Sequence, residues 1–127
     1  MALYLWNKKY SIGDASLDSQ HQGLFEIANY LVDSRNQVEL TDNIVKLHNY
    51  CQNHFSHEEG LMGKLGYPDV KAHVALHDQL MTRLNAISDD IAQGRWSRSK
   101  LEEFMNEWLL GHILKEDLKL VKFARKA

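Results

Sequence analysis

Apolar residues recur at three- and four-residue spacing through most of this chain, the mark of helices that bury one face. The first such stripe reads His21, Leu24, Phe25, Ala28, Leu31 and Val32. A second reads Ile44, Leu47, Cys51, His54, Glu58, Leu61 and Leu65. The third, His73, His77, Leu80, Leu84, Ile87 and Ile91, steps 4-3-4-3-4, the heptad-like spacing of bundle packing. The fourth carries Leu101, Met105, Trp108 and His112 on one face, with Leu120 and Val121 following.

Punctuation falls between the stripes. Asp18 or Ser19 can cap the first helix, and the polar run Arg35-Asn36-Gln37 ends it. Thr41, followed by Asp42, can cap the second, and Ser99 with Glu102 makes a capping box for the fourth. Gly66-Tyr67-Pro68-Asp69 is a stop-and-turn signal, and Gln93-Gly94 closes the third helix. Residues 1–17 show no period: Trp6, Tyr10, Ile12 and Leu17 are irregularly spaced and Gly13 breaks the run. These features predict an all-α protein with one domain over residues 1–127. Residues 1–17 form an extended arm whose aromatics pack onto the rest, and residues 18–127 form an up-down-up-down antiparallel four-helix bundle.

Composition changes this picture little. A chain of 127 residues, 44% hydrophobic, can bury about two-thirds of its unfolded surface around one core. Net charge is −2 and no basic block is present, so nucleic-acid binding has no electrostatic footprint. No run is long and apolar enough to span a membrane, and the first residues do not read as a signal peptide. The lone Cys51 excludes an intramolecular disulfide and fits a reducing compartment, so the expected location is cytoplasmic. The anomaly is seven histidines in so short a chain.

The informative residues are those that interrupt the apolar stripes. His21, His54, Glu58, His73, His77 and His112 all stand on inferred inner faces, and every helix supplies at least one. In an antiparallel bundle the start of the first helix is level with the end of the second, the start of the third and the end of the fourth. All six residues fall at that one end. One inward histidine is more often a hydrogen-bonded core residue than a ligand. Five at one level, with a glutamate that is costly to bury alone, point to a transition-metal site. Beyond His112, periodicity favours Glu116, which is four residues on. Asp117, five on, lies about 140° around an α-helix and reaches the site only if the helix is distorted, for example by a π-bulge. His48 and His57 fall off the inner stripe, and Cys51 reads as a small core residue.

Together these residues resemble the hemerythrin family, in its bacterial branch, the bacteriohemerythrins. The resemblance runs through Trp6-Asn7, Tyr10 to Gly13, Leu17-Asp18-Ser19-Gln20-His21, His54-Phe55-Ser56-His57-Glu58-Glu59, Gly66-Tyr67-Pro68, the pair His73/His77, and His112 with Asp117. It covers nearly the whole chain. It implies two iron ions in an oxo- or hydroxo-bridged, non-haem di-iron centre. His73, His77 and His112 would hold one iron, and His21 and His54 the other, which keeps an open position. Glu58 and Asp117 would bridge them, so the resemblance selects Asp117 over Glu116. It also implies that Leu110 stands over the open position. Phe55, next to His54, and Trp108, one turn before His112, are further candidates for the wall of a dioxygen pocket; ordinary core packing is the alternative for all three and the favoured one for Trp108.

The implied function is reversible dioxygen binding, as an oxygen carrier, store or delivery protein and not an enzyme. The alternative is a sensor of dioxygen, nitric oxide or redox state built on the same centre. Its partner would then be a signalling domain, where a carrier would instead serve an oxygen-consuming enzyme. A ferritin-like oxidase is disfavoured by the lack of Glu-x-x-His motifs. A structural zinc site is disfavoured because seven donors exceed the usual four.

Overall fold

The computed structural model describes Trp6, Ser11 and residues 13–126, except for the side chains of Leu109, Ile113 and Leu114. The helices are α1 (Ala15–Val32), α2 (Gln37–Leu65), α3 (Val70–Ala92), α4 (Arg98–Asn106), a π-helical segment (Glu107–Asp117) and α5 (Leu118–Lys126). The last three run on without a turn, since both junction residues, Glu107 and Leu118, keep right-handed helical dihedrals. They form the fourth rod of a four-helix bundle, and no strand occurs among the described residues. Short links join successive rods, which therefore run antiparallel. α2 packs on both α1 and α3, and α1 on α4.

The helix starts lie upstream of the expected caps. The Asp14 carboxylate accepts from Leu17 N at 2.9 Å and starts α1 four residues before Asp18. Asn36, expected in the loop, caps α2 by accepting from Glu39 N at 3.0 Å. Thr41, the expected cap, lies inside that helix, with its hydroxyl bonded back to Gln37 O at 2.9 Å. Ser97 caps α4 in place of Ser99, accepting from Lys100 N at 3.2 Å. In each case a polar residue just upstream reached an orphan N–H first. The expected stop at Gly66 holds: it ends α2 with φ 63°, and its N–H bonds to Met62 O.

Of the arm, Trp6 packs edge-on against Phe25, with ring centroids 5.4 Å apart. Tyr10 and Ile12 lie outside the described residues. Gly13 has φ 87°, as an arm that turns into a helix requires.

Buried side chains form layers along the bundle. The main core, including Leu24, Phe25, Leu47, Phe55, Leu84 and Trp108, fills the body. Leu17 and Val121, with Met62, Tyr67 and Leu120, close one end. In sequence, six of the seven inward polar residues fall between these apolar layers, as His21 does between Leu17 and Leu24 and Glu58 between Phe55 and Met62; His54 lies between Cys51 and Phe55 of the main core.

Candidate metal centre

His21, His54, Glu58, His73, His77, His112 and Asp117 meet in that polar layer, each 0–2% exposed. These are all seven expected ligands. Each helix aims its donors by simple spacing. His54 and Glu58 stand four apart on α2, and His73 and His77 four apart in the first turns of α3, so each pair shares a face. His112 and Asp117 are five apart, but both lie in the π-helical segment, where i→i+5 closure brings them onto one face. Glu116, favoured by α-helical periodicity, instead turns to the flank and lies 3.5 Å from Lys119 Nζ.

All five histidines direct Nε2 at the two carboxylates. His77 and His112 place Nε2 at 3.1 and 3.2 Å from Glu58 Oε1, and His73 and His54 at 3.6 Å. Asp117 Oδ2 is 2.7 Å from His21 Nε2 and 3.6 Å from that of His54. Its Oδ1 lies 2.8 Å from His112 Nε2 and 3.3 Å from His73 Nε2. The donors fall into two groups that share Glu58: Glu58, His73, His77 and His112; and His21, His54, Glu58 and Asp117.

Such a set is expensive without a cation, because two carboxylates have been taken fully out of water. The Nε2 atoms of His54 and His73, Glu58 Oε2 and Asp117 Oδ1 make no well-aligned hydrogen bond among the described residues despite their close neighbours. Their lone pairs converge on common space instead of on one another. That is the arrangement of a donor set built to share cations, and the residues fit a pair of metal ions.

In the metal-free protein protons perform this service. Burial works against the imidazolium of His73, but hydrogen bonds and charge from Asp117 and Glu58 prevail and push it up to about 9. Burial is likewise outweighed at His112, chiefly by the charge of Asp117, and that ring is pushed up to about 10. Glu58 feels burial and Asp117 raising it, yet hydrogen bonds from His112, His73 and His77 hold it down at about 2. Asp117 is held well below its ordinary value, with burial overcome by the charge of His112 and by bonds from His112, His21 and His54.

The expected pocket residues divide. Phe55 is buried and stacks on His77, with centroids 3.9 Å apart and planes at 10°, and meets His112 edge-on at 5.5 Å. Trp108 is buried and meets Phe55 edge-on at 6.3 Å. Leu110 is corrected: its side chain is 40% exposed and cannot be a buried wall. Two residues make about half a turn of this π-helical segment, which sets Leu110 across the rod from His112. His48 and His57 stay out of the cluster, as expected.

Two residues of the site were not singled out from sequence. Gln20 Oε1 lies 2.6 Å from His54 Nδ1, and Glu59 Oε2 lies 2.9 Å from His77 Nδ1. Each adjoins a metal-binding candidate in sequence, His21 and Glu58 respectively, and serves a histidine on the next helix. A half-buried polar residue beside an inward ligand was the available signal.

Comparison with known proteins agrees with this geometry. The family model of the hemerythrin HHE cation binding domain matches residues 13–124. A bacteriohemerythrin of Methylococcus capsulatus is 31% identical over 122 residues, covering 92% of this chain and 93% of that one. A myohemerythrin of Theromyzon tessulatum is 28% identical, covering 91% of this chain and 89% of that one. The crystal structure of a wild-type hemerythrin superposes with a TM-score of 0.84 at 30% identity, covering 92% of this chain and 94% of that one. With the domain matched almost end to end and its donor set assembled in one buried layer, this chain belongs to the hemerythrin family.

Proposed function

We propose that this protein binds dioxygen reversibly at a pair of iron ions held by His21, His54, Glu58, His73, His77, His112 and Asp117. One observation carries the reading: the unequal division of a fully buried donor set. Three histidines serve one group and two the other; Glu58 belongs to both groups, and Asp117 reaches His112 and His73 of the first, at 2.8 and 3.3 Å, as well as His21 and His54 of the second. With both carboxylates serving both groups, the two-histidine group is one histidine short and leaves room for a ligand from solution. When bound, the iron pair supplies that coordination place and the two electrons that dioxygen takes up.

The chain's own residues set the conditions. Five imidazoles against two carboxylates keep the donor set poor in negative charge, which limits how far bound iron is driven toward high oxidation states. Glu58 and Asp117, reached by histidines of both groups, hold the two positions together. Phe55 and Trp108 close the inner side with apolar surface, which keeps water and stray protons from the bound gas.

The same features favour a carrier over an enzyme. Among the described residues, every titratable group of the layer is committed as a donor, and no separate acid or base stands in it. A cytoplasmic location belongs to this reading and rests on the buried, unpaired Cys51. No helix of the described residues is long and apolar enough to cross a membrane.

The test is reconstitution of the full chain with ferrous iron under argon, followed by metal analysis and admission of dioxygen. Two irons per chain are expected, with a visible absorption band that appears with dioxygen and fades on argon purging. One zinc and no iron per chain, or a band that never reverses, would sink the proposal.

A further inference from the structure

The two side chains that reach the outer nitrogens of the cluster differ in charge. Glu59 offers His77 Nδ1 a carboxylate oxygen at 2.9 Å, and Gln20 offers His54 Nδ1 an amide oxygen at 2.6 Å. Both partners are acceptor oxygens, so Nδ1 of each ring carries a proton and donates it outward, which leaves Nε2, on the side of Glu58, as the atom that can ligate a metal. His77 belongs to the three-histidine group and His54 to the two-histidine group. The remaining three rings, His21, His73 and His112, have buried Nδ1 atoms without a partner among the described residues. Each metal group thus has one histidine locked from outside, one by an anion and the other by a neutral amide.

We propose that Glu59 and Gln20 are positioning residues for the two metal positions, and that their difference in charge makes those positions unequal. Each fixes the tautomer and the angle of its ring, so that the Nε2 lone pair is presented before any metal arrives. An anionic acceptor also pulls the Nδ1 proton away from the ring and enriches Nε2, which an amide does far less. The three-histidine position therefore holds its metal more tightly and favours the ferric state more than the two-histidine position. Glu59 is suited to this because its side chain is 38% exposed while His77 is 2% exposed. Its charge stays solvated and acts inward through one hydrogen bond.

The inference rests on the two-metal reading above, and the wild-type protein tests that reading separately. Metal-free chain is titrated with Co(II) under argon and followed by absorption. Two equivalents in wild type support the two-metal reading whatever the variants do. E59A should weaken one equivalent by roughly 10–100-fold, the usual effect of removing such a partner, and leave the other near wild type. Q20A should weaken the other equivalent, and the double variant both. E59Q keeps an acceptor and should recover most of the affinity lost in E59A. In iron-loaded protein E59Q should still raise the midpoint potential, because the charge is gone. A merely structural role would not move the potential in a variant that binds normally. Wild-type affinity and potential in E59A would overturn the proposal. So would a loss in E59A that E59Q fails to recover and that parallels a drop in the melting temperature of the metal-free chain.

Discussion

At the scale of single residues, Phe55 and Glu58 do opposite work one helical turn from each other. Glu58 is a fully buried anion within 3.6 Å of four histidine Nε2 atoms, and it is the member common to both donor groups. Phe55 is apolar and holds His77 by stacking. Phe55→Ala should lower folding stability by about 3–5 kcal/mol, as truncation of a buried aromatic does. It should also open space beside His77 and His112 for water. Protons would then reach the site, and the oxygenated protein should autoxidise faster. The decay of the oxygenated absorption band, read at fixed pH below the variant's melting temperature, checks this. A wild-type decay rate in folded Phe55→Ala protein would reduce Phe55 to core filling. Leu110→Ala should leave the rate unchanged, since Leu110 is 40% exposed.

At the scale of the helix, the fourth rod shows where sequence patterning stops being informative. The stripes of the first three helices are read from a 3.6-residue period, and they hold except at Leu61, Leu65 and Ile87, which are partly buried, while Met62 takes the buried place at the end of α2. His21, Leu24, Phe25, Ala28, Leu31 and Val32 are all buried, as are Ile44, Leu47, Cys51, His54 and Glu58. Among the candidate ligands the period gives the wrong residue only after His112, where it favours Glu116 over Asp117, because the i→i+5 closure of that segment leaves no mark that apolar spacing alone can register. There the resemblance to a known ligand order chose Asp117, and the backbone supplies the reason. Helix starts were misplaced for a different reason: Asp14, Asn36 and Ser97 are as good caps as the residues expected downstream, and only the backbone shows which one accepts. The π-segment makes a prediction of its own. Asp117→Ala should lose at least one of the two metals, while Glu116→Ala, one residue away, should keep both; metal content after desalting decides. Two metals in Asp117→Ala would mean that the fourth rod reaches the site in α-helical register after all. The turn after α2 makes a second. Gly66 has φ 63° and open space around it, so an added Cβ meets no neighbour and only backbone strain is at stake. Gly66→Ala should cost about 1–2 kcal/mol in denaturant unfolding without changing metal content.

For the molecule as a whole, a polar layer clamped between two apolar ones ties folding to whatever neutralises that layer. In the metal-free chain the neutralising agents are protons on His73 and His112, pushed up to about 9 and about 10 from an ordinary 6.5. A group whose folded value is raised contributes stability that is complete below its unfolded value and disappears as pH climbs through the folded one. The carboxylates act in the other direction. Glu58, held at about 2, contributes stability that is present above its ordinary 4.5 and is lost as pH falls toward 2. The metal-free chain should therefore be most stable between roughly pH 4.5 and 6.5 as far as this layer is concerned, and should weaken steadily up to pH 10. Metal reverses the upper limb. Ligation requires neutral imidazoles, so loading expels the same protons and replaces their charge with one that does not titrate away. The loaded protein should hold its melting temperature from neutral pH to pH 9 and lose metal on acidification, when protons win the ring nitrogens back. The check is a series of thermal melts at pH 6, 7.5 and 9 on chelator-stripped and metal-loaded chain under argon. The two curves should diverge as pH rises. A stripped protein whose melting temperature stays level or climbs over that range would show that the histidines are already neutral without metal. The buried carboxylates would then have to be stabilised by something other than His73 and His112.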